Sequence, residues 1–209
     1  MRKSLYIIGA GSVGGHIAWN YDDYGLDYTL AGFLDDDPSK IGTNAFGLDV
    51  IGPVEAIFTM QNVAVVIGIA FPEIKKKIVD KIATNTAVEF PTLVSSKAWI
   101  SNGCTIGQGS IIYPGVSVNY GTILGDFIVM NMNCAIGHDV TIDDYSSLAP
   151  GVNLAGHTHI EAGVDLGIGS ATRQDVRIGK GSVIGGQSMV IKVVPPGSVY
   201  AGVPARELK

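Results

Sequence analysis

Two different rhythms of hydrophobic and polar positions run along this chain. Over residues 1 to about 92, apolar runs of strand length alternate with stretches of helical spacing. "SLYIIGAG" predicts a buried strand closing in glycines, and "GGHIAWNYDDY" the helix that follows. "YTLAGFLDDDP" reads as a second strand ending in three aspartates and a proline, and "NVAVVIGIA" as a third. "PEIKKKIVDKIATN" places Pro72 at a helix start, with its lysines on a solvated face. Strands alternating with helices predict an α/β unit, a small parallel sheet with crossover helices. At about 90 residues this is roughly half of a doubly wound dinucleotide domain, with room for a mononucleotide-sized ligand.

From Ile100 the rhythm changes to a period of six. Sixteen hexads run from Ile100 to Pro195 without an insertion, beginning ISNGCT, IGQGSI, IYPGVS. The first position is Ile, Leu, Val or Met in fifteen of the sixteen, and Thr172 is the exception. The fifth position is Cys, Ser, Thr, Val or Ile in every one. A register held that long predicts a solenoid, in which each repeat buries its apolar face only against its neighbours.

Composition narrows the function classes. The 209 residues carry 14 basic and 19 acidic side chains, a formal net charge of -5, and no basic run, which argues against nucleic acid. No segment of eighteen apolar residues exists, so no membrane span is predicted. The basic and apolar start "MRKSLYIIGAGSVGG" breaks into glycines that suit a strand and turn better than a signal peptide. Two cysteines, Cys104 and Cys134, make no disulfide framework and fit a reducing, cytoplasmic compartment. The 28 glycines and only 16% charged residues predict many turns and much uncharged wall.

The hexads match the repeat of left-handed parallel β-helix acyltransferases. The tail "PPGSVYAGVPARELK" resembles that family's closing segment through Val199, Gly202, Pro204, Ala205 and Arg206. Joined to a short Rossmann-like domain, the β-helix resembles the sialic acid O-acetyltransferase and UDP-amino-sugar N-acetyltransferase family over nearly the whole chain. The resemblance implies a Rossmann-like nucleotide-sugar-binding domain at 1–92, a left-handed β-helix acetyltransferase domain at 98–195 and a C-terminal tail at 196–209. It also implies three hexads per triangular coil, so that equivalent residues of successive coils stack at about 4.8 Å. Cys104 and Cys134 are five hexads apart, not a whole number of such coils, and therefore belong to different walls as small core residues.

Within "NCAIGHDVTIDD", the third hexad position turns His138 outward. Its column, one residue from every third hexad, is Tyr120, His138, Gly156, Gln174 and Lys192. A neutral imidazole takes the proton of an attacking amine or hydroxyl, and Asp139 beside it raises its basicity and stabilises the imidazolium. The family's Gly-His-Asp/Glu motif is matched by Gly137, His138 and Asp139, and its upstream asparagine by Asn131. Carried over in the same way, acetyl-CoA is expected at Ser147, Gly156, Ile168 and Gly186, largely through backbone amides. Lys192, three coils from the base or about 14 Å, is placed to meet a phosphate of the extended cofactor. Ser147 stands where the family has a second histidine after the base. Family members are trimers with active sites between neighbouring helices, so a homotrimer is expected and a lone monomer should be inactive.

"GAGSVG" satisfies G-x-G-x-x-G between strand and helix, with Asp35 and Asp36 about twenty residues on. Read alone it is a dinucleotide fingerprint or a packing turn. By resemblance the turn cradles the nucleotide diphosphate, with Gly11, Ser12, Val13, Gly14, Asp35, Asp36 and Gly68 lining the site. Ser12 and Val13 replace the family's usual Gly-His pair there. His157 and His159 do not match the histidine spacing of the metal-dependent β-helix carbonic anhydrases, so no metal is expected. Three classes of function follow. They are an acetyl-CoA-dependent sugar acetyltransferase, an NAD-dependent enzyme using the β-helix as a trimer scaffold, and a non-catalytic nucleotide-binding protein.

Overall fold

The run Lys3–Ile8 forms strand β1 at the middle of a six-stranded sheet. In this computed structural model residues 2–84 and 88–208 are described, and the chain divides into two units, 1–93 and 94–209. In the first unit β1 leads to helix α1 (Ser12–Trp19) and strand β2 (Tyr28–Leu34). Strands β3 (Asn44–Ala45), β4 (Leu48–Gly52) and β5 (Val63–Ile67) follow, then helix α2 (Pro72–Ile82) and strand β6 (Val88–Glu89). The sheet order is β3-β4-β2-β1-β5-β6, parallel except for the antiparallel edge pair of β3 and β4. Every residue of β5 is buried, as expected for a parallel strand covered on both faces. The strand order reverses at β1, which has β2 on one side and β5 on the other. Ligands of such sheets bind at that reversal, beyond the carboxyl ends of the strands.

Two local expectations need correction. The predicted first helix is shorter than its pattern, ending at Trp19 before a 3₁₀ turn over Tyr21–Tyr24. The Asn20 side-chain amide donates to the His16 carbonyl at 2.8 Å, capping the end of α1, and Gly25 at φ 59 turns the chain away. The lysines of α2 are not all solvated. Lys75 shares the inner stripe with Pro72, Val79 and Ile82 and is 1% exposed.

The second unit is a parallel β-helix of two-residue strands. Parallel registers join Val118 to Ile136 and Ile136 to Leu154, three hexads on each time, and the same shift recurs around the coil. Three walls result. Wall I holds Val129–Met130 and Ser147–Leu148, wall II Ala135–Ile136 and Asn153–Leu154, and wall III Thr141–Ile142 and His159–Ile160. Wall I is extended by the tail strands Val199–Ala201 and Arg206–Glu207. First positions of the hexads from Ile112 to Val190 are buried, Thr172 among them at 5% exposure. Fifth positions from Ser110 to Val194 are buried too.

The corners have their own rule. The fourth residue of the hexads from Gly103 to Gln187 has positive φ, and seven of these residues are not glycine. A non-glycine residue there costs about 1–2 kcal/mol, which a stacking partner can offset. Phe127 and Tyr145, equivalent corners of successive coils, stack at 5.4 Å with planes 4° apart. Asp139 (φ 55) and His157 (φ 58) form another such pair of non-glycine corners. Of the two cysteines, Cys134 is a buried core residue and Cys104 is only half-buried. The Cys104 thiol donates to Asn119 O just before wall III, and the Cys134 thiol to Ala149 O just before wall II.

Candidate active site

In the first unit, the carboxyl ends of β1, β2 and β5 open into a cleft of about 470 Å³. Gly11, Ser12, Val13, Asp35, Asp36 and Gly68 line it, with Lys40, Phe71 and Lys77. Gly11 is the N-cap of α1 and makes no side-chain cap, so the first-turn N–H groups of α1 face the cleft unclaimed by a capping side chain. Such a helix start suits a phosphate. Gly14 lies behind the lining. A side chain there would overlap the Gly9 carbonyl, and one at Gly68 would approach Cα of Gly14 at 2.9 Å. These two glycines let α1 pack closely against β1 and β5.

The two aspartates have different work. Asp35 Oδ2 accepts Ala10 N–H at 2.8 Å and Lys40 Nζ at 2.9 Å, and its Oδ1 accepts Asp37 N–H at 2.9 Å. Burial alone would raise its pKa, but these donors outweigh it and hold the carboxyl below its usual value. Asp36 is exposed and, among the described residues, accepts one bond, from Val54 N–H at 2.8 Å. Lys40 and Lys77 were not singled out in the sequence. Their only signal there was proximity to the aspartates and helical spacing from Ile74, too little to choose them among the other lysines.

In the second unit, His138 stands at the corner between walls II and III. Its Nδ1 lies 2.8 Å from Asp139 Oδ2, leaving Nε2 for other partners. Tyr120 stacks on one side of the ring at 5.4 Å with planes 14° apart. Gly156 lies one coil further on, and a methyl group there would stand 2.7 Å from Nε2. His157 meets the imidazole edge-on, with centroids 4.9 Å apart, and donates its backbone N–H to His138 O at 3.1 Å. Sequence reasoning weighed His157 only as a metal ligand and set it aside. Its signal was the repeat column, in which it follows Asp139. Ligand atoms of His138, Asp139 and His157 lie within 4.8 Å of one another, a donor set that a divalent ion can use. An ion bound there would occupy the His138 imidazole.

The other expected residues fall elsewhere on the helix. Asn131, Ile168 and Gly186 lie at the corner between walls I and II, and Ser147 is buried on wall I. Lys192 is exposed at the His138 corner, at its predicted place in the column. The structure thus brings His138, Asp139 and Gly156 together and places Asn131, Ile168 and Gly186 at another corner, one side of the triangle away. The amides differ as well. The corner N–H groups of Gln108, Tyr120, Asp126, Met132 and Lys180 are each taken by a side-chain oxygen. Among the described residues, no oxygen accepts those of Gly156, Ile168 and Gly186, nor those of His138, Asp144, Ala162 and Gln174 at the same hexad position.

Comparison with known proteins agrees with this architecture. Residues 4–82 match the family model of the PglD N-terminal domain. The acetyltransferase domain of PglB from Neisseria gonorrhoeae is 28% identical with a TM-score of 0.90, over 99% of this chain and 100% of that one. The same domain has been crystallised with acetyl coenzyme A and matches with 26% identity over the whole of both chains, at a TM-score of 0.89. WeeI from Acinetobacter baumannii is 27% identical, TM-score 0.87, covering 98% of this chain and 99% of its own. A histidine-to-asparagine variant of perosamine N-acetyltransferase from Caulobacter crescentus, in complex with CoA and GDP-perosamine, shares the fold at 22% identity. Its TM-score is 0.90, over 99% of this chain and 97% of that one. No curated protein sequence matches the chain.

Proposed function

We propose that this chain, a member of the sugar acetyltransferase family that joins a PglD-type N-terminal domain to a parallel β-helix, transfers the acetyl group of acetyl-CoA to a sugar. The acceptor is the amino group of a UDP-linked amino sugar, with His138 as general base. One observation carries the reading. The His138 imidazole is held at Nδ1 by Asp139, and its Nε2 faces the space that Gly156 leaves empty.

The chemistry follows from that placement. The sugar amine attacks the thioester carbonyl and passes a proton to Nε2 of His138. The carbonyl oxygen becomes an oxyanion, to which the unclaimed Gly156 N–H donates. Collapse breaks the carbon–sulfur bond, and the thiolate of CoA takes the proton back from the imidazolium. Lys192, about 14 Å further along the same corner, reaches a phosphate of the extended cofactor.

In the first unit, the α1 N-terminus and Lys40 or Lys77 take the diphosphate, and Asp36 takes the nucleoside. Asp35, already holding three of the chain's own donors, shapes the loop rather than the ligand. The same saturation weighs against a dinucleotide whose ribose would need that carboxylate.

The working molecule is a cytoplasmic homotrimer. Asn131, Ile168 and Gly186 serve the base of a neighbouring copy, since their corner is too far from His138 in one chain. Exposed Met132 and Ile168 at that corner provide apolar contact surface. The test is thiol release from acetyl-CoA against UDP- and other nucleotide-linked amino sugars. Turnover with a UDP-linked amine is expected. No turnover with any acceptor, together with tight NAD binding, would overturn the reading.

A further inference from the structure

Between Trp99 and Arg173 the strand ladder breaks at one place, beside Gly156. At equivalent positions of neighbouring coils a backbone N–H reaches a backbone carbonyl of the next coil, as from Gly137 to Leu154 and from Arg173 to Val190, both 2.8 Å. The Ala155 N–H instead donates to the Thr172 hydroxyl at 3.1 Å. The paired register there is correspondingly short, with Asn153 opposite Ala171 and no second pair. The next hydroxyl is off its pattern too. Ser110, Thr122 and Ser146 each donate to a carbonyl further along the coil, those of Gly125, Gly137 and Glu161. Thr158 donates to Ala155 O at 2.7 Å and lies 3.0 Å from the Thr172 hydroxyl. Ser170, in the adjoining hexad, has a buried hydroxyl with no partner among the described residues.

These bonds close a ring. Thr158 spends its proton on Ala155 O, so between the two hydroxyls Thr172 is the donor. Ala155 N–H donates to Thr172, Thr172 to Thr158, and Thr158 back to Ala155 O. The Ala155 carbonyl and the Gly156 N–H belong to one planar trans peptide and point in opposite directions. A hydroxyl anchoring that carbonyl on the core side therefore aims the Gly156 N–H outward, on the face where Gly137 has no side chain. Donation onto the carbonyl also polarises the N–H on the same peptide.

We propose that Thr158 and Thr172 are positioning residues that orient the Gly156 N–H as the oxyanion donor, an inference that rests on the acetyltransferase reading above. Packing alone does not account for Thr172. Fifteen of the sixteen equivalent positions are filled by Ile, Leu, Val or Met, and valine has the same shape. With Thr172→Val, Ala155 N–H can return to a backbone carbonyl and Thr158 to the Arg173 carbonyl, as the pattern of the other coils has it. The site would then gain a regular ladder and lose its aimed amide.

The test compares wild type with Thr172→Val, Thr158→Val/Thr172→Val and Thr172→Ser. The valine variants should melt no lower than wild type. Their kcat should fall about tenfold, part of the hundredfold or more that a whole oxyanion donor supplies, with KM for the sugar nucleotide unchanged. Thr172→Ser, which keeps the hydroxyl, should restore most of kcat. Amide hydrogen exchange at Gly156 should change in the valine variants and not in the serine one. Full kcat in folded Thr172→Val would overturn the proposal, as would loss of activity in Thr172→Ser equal to that in Thr172→Val. If wild type transfers no acetyl group, the acetyltransferase reading fails. The exchange comparison then decides the clamp by itself, and an unchanged Gly156 amide would overturn it.

Discussion

A methyl group at Gly156 would meet Nε2 of His138 at 2.7 Å, and its three nearest neighbours would all be atoms of that imidazole. Gly156→Ala should therefore leave the fold intact and push the base off its line. We expect kcat to fall about a hundredfold with little change in melting temperature, measured by thiol release and calorimetry. His138→Ala should cost more, about 10²–10⁴ in kcat, again without unfolding. The aspartates separate in the same way. Asp36→Asn should raise KM for the sugar nucleotide and spare stability, whereas Asp35→Asn should lower the melting temperature. Asp35 has a depressed folded pKa, so its stabilisation is present above the ordinary carboxylate range and lost as pH falls through the folded value. Wild type should lose stability more steeply than Asp35→Asn below about pH 4, in melts from about pH 5 to about pH 2.5. At this scale the sequence showed Gly-His-Asp and the repeat columns. It did not show which aspartate was spent on the loop, because that depends on where Ala10 and Lys40 come to lie.

Elements in this protein are placed by what glycine permits. Gly11 caps α1 with φ -114 and has no atom within 4 Å of an added methyl group, so Gly11→Ala should be tolerated in stability. Gly14, three residues on, has the Gly9 carbonyl in the way of any side chain. Gly14→Ala should cost about 2–3 kcal/mol in denaturant unfolding, because α1 must move off β1. A pattern search scores these two glycines alike, yet one faces the cleft and the other is a packing contact. The hexads were more legible, since a period of six names its inward positions without reference to any distant residue. Where the period was broken, at Thr172, the sequence recorded the exception and only the hydrogen bonds supplied its meaning. Lys75 shows the converse. Its spacing from Pro72 and Val79 marks the inner stripe of α2, but lysine's usual place in solvent hid it.

For the molecule as a whole, His138, Asp139 and Gly156 stand at one corner of the β-helix and Asn131, Ile168 and Gly186 at another, spread over several coils. If neighbouring copies complete each other's sites, His138→Ala and Asn131→Ala proteins should each be inactive and should complement when mixed. Random trimers from equal amounts would carry about a quarter of the sites intact. Recovery of about a quarter of wild-type activity after unfolding and refolding together, with a mass of three 21.8 kDa chains in sedimentation, is the expected result. No recovery would place all the catalytic groups within one chain. No helix among the described residues is long and apolar enough to cross a membrane.

Read by itself, the sequence determined the solenoid, its inward positions, the parallel sheet before it and the candidate base, because these follow from local periodicity and from residue types set at regular spacing. The tertiary structure decided which groups meet. It set Asp139 on His138, Tyr120 and His157 around its ring, Asp35 on Ala10, and two threonine hydroxyls on the peptide that carries the Gly156 amide. Hydrogen bonds of that kind depend on directions and on small differences in distance between remote segments. A repeat pattern carries the spacing of residues but not the direction in which their donors point.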